Sequence, residues 1–83
     1  MTDAKLKAGL LALEAEARKR LRDIRADLKH ALEWEKRSVR LSNWHDILCS
    51  RDRISKLRDR EFLTLGNVKH HAKRIAQLEE KGV

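Results

Sequence analysis

Residues 3–41 read DAKLKAGLLALEAEARKRLRDIRADLKHALEWEKRSVRL, and the fold class follows from this run. It has no proline and one glycine, Gly9, and it is dense in alanine, leucine, glutamate, lysine and arginine, the strongest helix formers. Thr2 precedes it with a side chain suited to an N-cap, so one helix is expected over about 3–41. Its apolar residues recur every eleven positions. Leu6, Ala17, Leu28 and Val39 form one row, Leu10, Leu21 and Leu32 a second, and Leu13 and Ile24 a third that ends at Glu35. An eleven-residue repeat is close to the straight-helix period, so the rows predict one amphipathic seam roughly 50 Å long at 1.5 Å per residue. Such a seam cannot stay in water; the rest of the chain, a second copy or a docked partner must cover it.

Outward from this helix, Leu41-Ser42-Asn43-Trp44 marks a break, because Ser42 and Asn43 are both competent caps and Asp46 stands where a carboxylate favours a helix start. A second helix is expected over about 44–62, with Trp44, Ile47, Leu48, Ile54 and Leu57 as its apolar face. Thr64 is suited to open a third over about 65–80, turning Leu65, Val68, Ala72, Ile75 and Leu78 inward and stopping at Gly82. One bent helix from Trp44 onward is the alternative. The expected architecture is all-α: a long N-terminal amphipathic helix and two shorter ones in a small bundle or helical hairpin, completed by dimerisation or partner docking. With no linker, repeat or low-complexity tract, residues 1–83 read as a single domain.

Composition narrows the class further. Of 83 residues, 40% are charged, proline is absent and Phe62 is the only aromatic strand former, which excludes a β architecture. A chain this short buries only about 60% of the surface that its unfolded form exposes, so its core is thin. Lys plus Arg exceed Asp plus Glu by 20 to 13, giving +7, and polyanions are attracted to such a chain. The single cysteine, Cys49, cannot close an intrachain disulfide, no run reaches the roughly 20 apolar residues of a membrane span, and the first residues lack a signal-peptide apolar core. A cytoplasmic protein with no membrane association is the expectation.

The eleven-residue spacing also aligns cations. Lys7, Arg18, Lys29 and Arg40 fall in one row and Arg25 and Lys36 in the next, with Arg22 between them, so that helix one carries a basic ridge interrupted mainly by Glu33. Glu14 with Arg18, Glu16 with Arg20 and Glu33 with Arg37 are spaced as i,i+4 pairs, each worth only a few tenths of a kcal/mol. Beyond them, the stretch from Lys36 to Arg60 holds eight cations, Arg51, Arg53 and Arg58 among them, against Asp46, Asp52 and Asp59. Surplus arginine of this kind faces an anion, and phosphate is the natural one.

Leu57, Leu63, Val68, Ala72 and Ile75 stand at apolar positions that resemble a helix-turn-helix, with Thr64 opening the second helix; Arg58 and Phe62 depart from that pattern. The resemblance implies a recognition helix whose Gly66, Asn67, Lys69, His70 and Lys73 approach base edges. His45 and Cys49 share a helix face but have no second pair of ligands, and adjacent His70 and His71 point about 100° apart, so no metal or other cofactor is expected. Nor is there a phosphate loop or a nucleophile beside a base and an orienting acid, which argues against an enzyme.

Two functions fit these residues. The first is a small basic helical protein, expected as a homodimer, that binds and regulates nucleic acid or a nucleoprotein complex through Arg18, Arg22, Arg25, Lys29, Lys36, Arg40, Arg51, Arg53, Arg58, Lys69, His70 and Lys73. The alternative is a protein-binding inhibitor or adaptor, for example a phage-type antagonist of a nucleic-acid-processing machine. It would dock through Leu10, Leu21, Leu28, Trp34 and Trp44.

Overall fold

The computed structural model describes residues 2–82 and contains two helices joined as a hairpin, α1 over Asp3–Arg40 and α2 over Trp44–Glu80, with no strand among the described residues. The expected caps are in place. The Lys5 amide donates to Thr2 Oγ1 at 3.3 Å and opens α1. At its other end the Asn43 amide donates to Ser38 O and the Ser42 amide to Val39 O, both at 3.0 Å, which is the Schellman closure of a helix. Ser42 takes the left-handed position of that motif at φ 53°, the place glycine usually fills. Asn43 then caps α2 by accepting from the Asp46 amide at 3.2 Å, while its own Nδ2 donates to Asp46 Oδ2 at 3.1 Å. At the far end Gly82, at φ 82°, provides the stop.

The third helix does not form. α2 passes through Thr64 and Gly66 without interruption, and this continuity also removes the helix-turn-helix, which needs a turn between Leu57 and Ile75. The reason lies in spacing. The inward residues of α2 run Ile47, Ser50, Ile54, Leu57, Glu61 and then Thr64, Val68, His71, Ile75, Leu78, alternating steps of three and four with no slip. Thr64 is therefore a half-buried position on the inner stripe, not a cap, and Gly66 lies exposed on the outer face, where a missing side chain leaves no gap.

The backbone divides into two compact units, Met1–Leu21 with Leu63–Val83 and Arg22–Phe62. In the first, Lys7, Leu10, Glu14, Ala17 and Leu21 are the inward residues of α1, and Leu10 packs with Ile75, Leu78 and the half-buried Leu6. In the second, Ile24, Leu28, Ala31, Glu35 and Ser38 turn inward, and Ala31 packs with Ile54 and Leu57 beneath Ile24, Leu28 and Leu32. Ser50, fully buried, satisfies its hydroxyl on Ile47 O at 3.0 Å, and buried Ser38 does the same on Trp34 O at 2.8 Å.

These stripes step by seven residues, the repeat of a coiled-coil seam, and not by eleven. Each eleven-residue row crosses the seam obliquely: Leu6 stands at one margin, Ala17 and Leu28 within it, and Val39 emerges exposed at the other. Leu13, Trp44 and Leu48, assigned inward from sequence, are likewise exposed. Because α2 covers the apolar seam of α1 within each unit, a second copy is not required for that purpose.

Continuity of α2 can be checked by substitution. Gly66→Ala is expected to stabilise the fold by about 0.5–1 kcal/mol, since a Cβ there meets nothing within 4 Å. Ser42→Gly should add up to about 1 kcal/mol by relieving the left-handed serine. Each gain corresponds to a few degrees in the thermal midpoint by circular dichroism, and a drop for Gly66→Ala would place a turn at that residue.

Candidate nucleic-acid interface

Within the Arg22–Phe62 unit, the residues beside the α1 seam form a flanking stripe: Arg22, Arg25, Lys29, Leu32, Lys36 and Val39, again in steps of three and four, with only Leu32 partly buried. α2 carries an equivalent stripe of Trp44, Leu48, Arg51, Ser55, Arg58 and Phe62, every member exposed. The two stripes lie on the same side of this unit, because Leu32 lines two adjoining grooves. One, of about 430 Å³, sets Leu32 and Glu35 of α1 against Arg51, Ser55, Arg58 and Asp59 of α2. The other, of about 370 Å³, is lined by Arg25, Lys29, Glu33 and Lys36 together with Leu28 and Leu32.

Ion pairs tie the two helices together at this margin. Arg25 Nε donates to Glu61 Oε2 at 3.1 Å and Arg51 Nε to Glu35 Oε2 at 3.2 Å. These two cations are consequently neutralised, although about half of each side chain is open to solvent. Arg22, Lys29, Lys36, Arg40, Arg53 and Arg58 have no carboxylate within 4.0 Å among the described residues. Three of these cations share one side of the unit, where Lys29 and Lys36 rise from α1 and Arg58 from α2, while Arg40 and Arg53 lie elsewhere.

The remaining expected residues are distributed elsewhere. Arg40 belongs to the last turn of α1. Arg53 lines a separate groove of about 260 Å³ with half-buried Trp34, Cys49, Asp52, Lys56 and Arg60. Cys49 Sγ sits 3.6 Å from His45 Nε2 one turn earlier. In the other unit Arg18 is held by Glu14 at 2.7 Å, as the spacing predicted, and Arg20 by Glu16 at 2.9 Å, whereas Glu33 and Arg37 do not meet. Lys69, His70 and Lys73 are exposed on a continuous helix, without the turn that would present them to a groove. Leu10 and Leu21 are buried against the chain's own α2, and Leu28 belongs to the core around Ala31; of the residues expected at a protein interface, Trp44 alone is fully on the surface.

No family model matches this chain, and neither a curated protein nor a solved structure is significantly similar to it.

The two tryptophans should report their different settings. With Trp34 replaced by Phe, the remaining Trp44 is expected to emit at the red end of the tryptophan range and to be quenched strongly by acrylamide, whereas Trp34 alone, in a Trp44→Phe variant, should be blue-shifted and protected. Equal quenching of both would contradict the exposed placement of Trp44.

Proposed function

We propose that this chain is a non-enzymatic nucleic-acid-binding protein whose Arg22–Phe62 unit grips phosphates on the side bearing the two flanking stripes. One observation carries the reading: Arg22, Lys29 and Lys36 recur every seven residues with no carboxylate partner, and Arg58 faces them from α2 across the grooves that meet at Leu32. Seven helical residues advance about 10 Å, close to three phosphate steps of about 3.4 Å along one strand. Unpaired surface cations at that repeat lose little on meeting phosphates, because they give up no ion pair and release condensed counterions from the polyanion. Regulation of a nucleic acid or a nucleoprotein complex would follow from occupying it.

Salt dependence tests the reading. The observed association constant for duplex DNA should fall steeply between about 50 and about 200 mM salt, and Lys29→Glu with Lys36→Glu should weaken binding and flatten the log–log slope by about 2, near 0.9 for each lost contact. Arg20→Ala, which removes a cation already paired with Glu16, should leave the slope unchanged. Conversely, Glu35→Gln with Glu61→Gln should tighten binding and steepen the slope, since Arg51 and Arg25 are then released from their carboxylates. No binding to any nucleic acid at low salt would exclude the proposal.

The exposed turn favours a second reading as an inhibitor or adaptor that docks on a protein machine: Leu41 is 71% exposed and Leu48 66%. Leu41→Asp with Leu48→Asp separates the two, because it removes an apolar anchor and spares the cations.

A further inference from the structure

We propose that the phosphate-gripping face is built for single-stranded nucleic acid, with the rings of Trp44 and Phe62 stacking on unpaired bases at its two ends and the cations between them holding the backbone. This rests on the reading of the unit as a phosphate-binding surface and adds which form of nucleic acid it takes. Trp44 is 73% exposed and Phe62 77%, and both stand on the flanking stripe of α2, not on its core stripe. The fold leaves most of both rings in water, so their flat faces are open to a ligand that also meets the cations of this stripe.

Their register is specific. Eighteen residues separate them, which is five turns at 3.6 residues, so both rings project from one face of α2 about 27 Å apart. Between them the same stripe carries Leu48, Arg51, Ser55 and Arg58; Arg51 is paired with Glu35, Asp59 lines the same groove, and Arg58 is the unpaired cation of the stripe among the described residues. The lysines of α1 border the adjoining groove. A partner helix would need an apolar anchor at every turn, and here cations interrupt the apolar residues between Leu48 and Phe62. B-form duplex turns its bases' flat faces into its own stack and leaves two isolated aromatic rings with only phosphate and sugar to touch. A single strand offers both chemistries in alternation, a charged backbone and free π-faces, and stacking on aromatic side chains is how such strands are held without sequence preference. At a stacked spacing of about 3.4 Å, the 27 Å between the rings spans about eight nucleotides, inside the range of roughly 4–16 known for compact single-strand binders.

The test uses the full chain with Trp34→Phe, so that Trp44 is the sole tryptophan. It is titrated at about 50 mM salt with a thymidine single strand of about twenty nucleotides, the same length of duplex, a single strand of abasic sites, and polyglutamate. Quenching of Trp44 is expected with the thymidine strand and not with the abasic strand, which supplies the same phosphates without bases. Trp44→Ala and Phe62→Ala should each weaken single-strand binding by about tenfold or more, while duplex affinity changes less than twofold. Both residues are exposed, so circular dichroism should show the helices unchanged. Equal losses for single strand and duplex, or quenching by the abasic strand as strong as by thymidine, would overturn the stacking assignment and leave phosphate binding standing. Stronger quenching by polyglutamate than by any oligonucleotide would overturn it in favour of an acidic protein. Failure of every nucleic acid to bind the parent chain would instead remove the phosphate reading beneath it.

Discussion

The constraint on which everything else depends is the narrowness of the seam between α1 and α2. Neither helix has a proline, and both are long enough that any register must hold over many turns. A seven-residue repeat keeps the same stripe of one helix facing the same stripe of another over many turns. In the Arg22–Phe62 unit the inner stripes include small buried residues, Ala31 and Ser38 on α1 and the fully buried Ser50 on α2. Serine is tolerated there because its hydroxyl turns back to a carbonyl of its own helix and leaves no unpaired donor. Where charged residues fall on the stripe, they sit at its margin and reach out to a partner. Lys7 meets Glu79 at 3.5 Å, Glu61 meets Arg25 and Glu35 meets Arg51. Such exposed pairs add little stability, but they fix which edge of α2 lies beside which edge of α1.

A seam of only two residues in every seven leaves the flanking stripes outside the core, and this is what makes the surface informative. In a broader bundle, Trp44, Leu48 and Phe62 would be recruited as core. Here they remain in water beside unpaired cations, and the same geometry that denies them burial aligns them. The acidic residues are not spread evenly either: Glu35 and Glu61 are used across the helix pair, and Asp52 is used along α2 on Lys56 at 2.9 Å. Lys29, Lys36 and Arg58 form no ion pair among the described residues, although Glu33 lines the groove of the two lysines and Asp59 that of Arg58.

Much of this was legible from residues alone, and the remainder failed for one physical cause. The helical class, the opening cap at Thr2, the break at Ser42-Asn43 and the stop at Gly82 are local chemistry, and local chemistry is written in the chain. The excess of cations on α1 was legible as well, but not their partners or places, since Lys7 lies on the inner stripe beside Glu79, Glu14 holds Arg18 and Arg40 falls in the last turn. The seam was misread as eleven-residue because α1 has apolar residues on both flanks, Leu11 and Val39 on one and Leu13 on the other, and a single helix with a broad stripe does not distinguish 3.5 from 3.67 residues per turn. The distinction is made by the second helix. For the same reason Thr64 and Gly66 read as a cap and a first turn, although the unbroken three-four stepping of Ile47 through Leu78 was present in the sequence and, followed without regard to propensity, would have predicted one helix.

The turn sets the register of the candidate surface. Once Ser42 closes α1 and Asn43 opens α2, Trp44 is the first helical residue and Ile47 is the first to reach the seam. Every later position on α2 is then fixed by counting: the stripe through Ile47, Ser50, Ile54 and Leu57 goes inward, and the stripe through Trp44, Leu48, Arg51, Ser55, Arg58 and Phe62 remains outside beside Leu32. Adding or removing one residue in the connection would turn α2 by about 100° relative to its seam, which exchanges buried isoleucine for exposed charge and is resisted by the whole core. The left-handed serine and the asparagine cap are therefore more than a way to end one helix and begin another. By fixing where α2 starts, they bring the two exposed rings and Arg58 to the side of the unit that also bears Lys29 and Lys36.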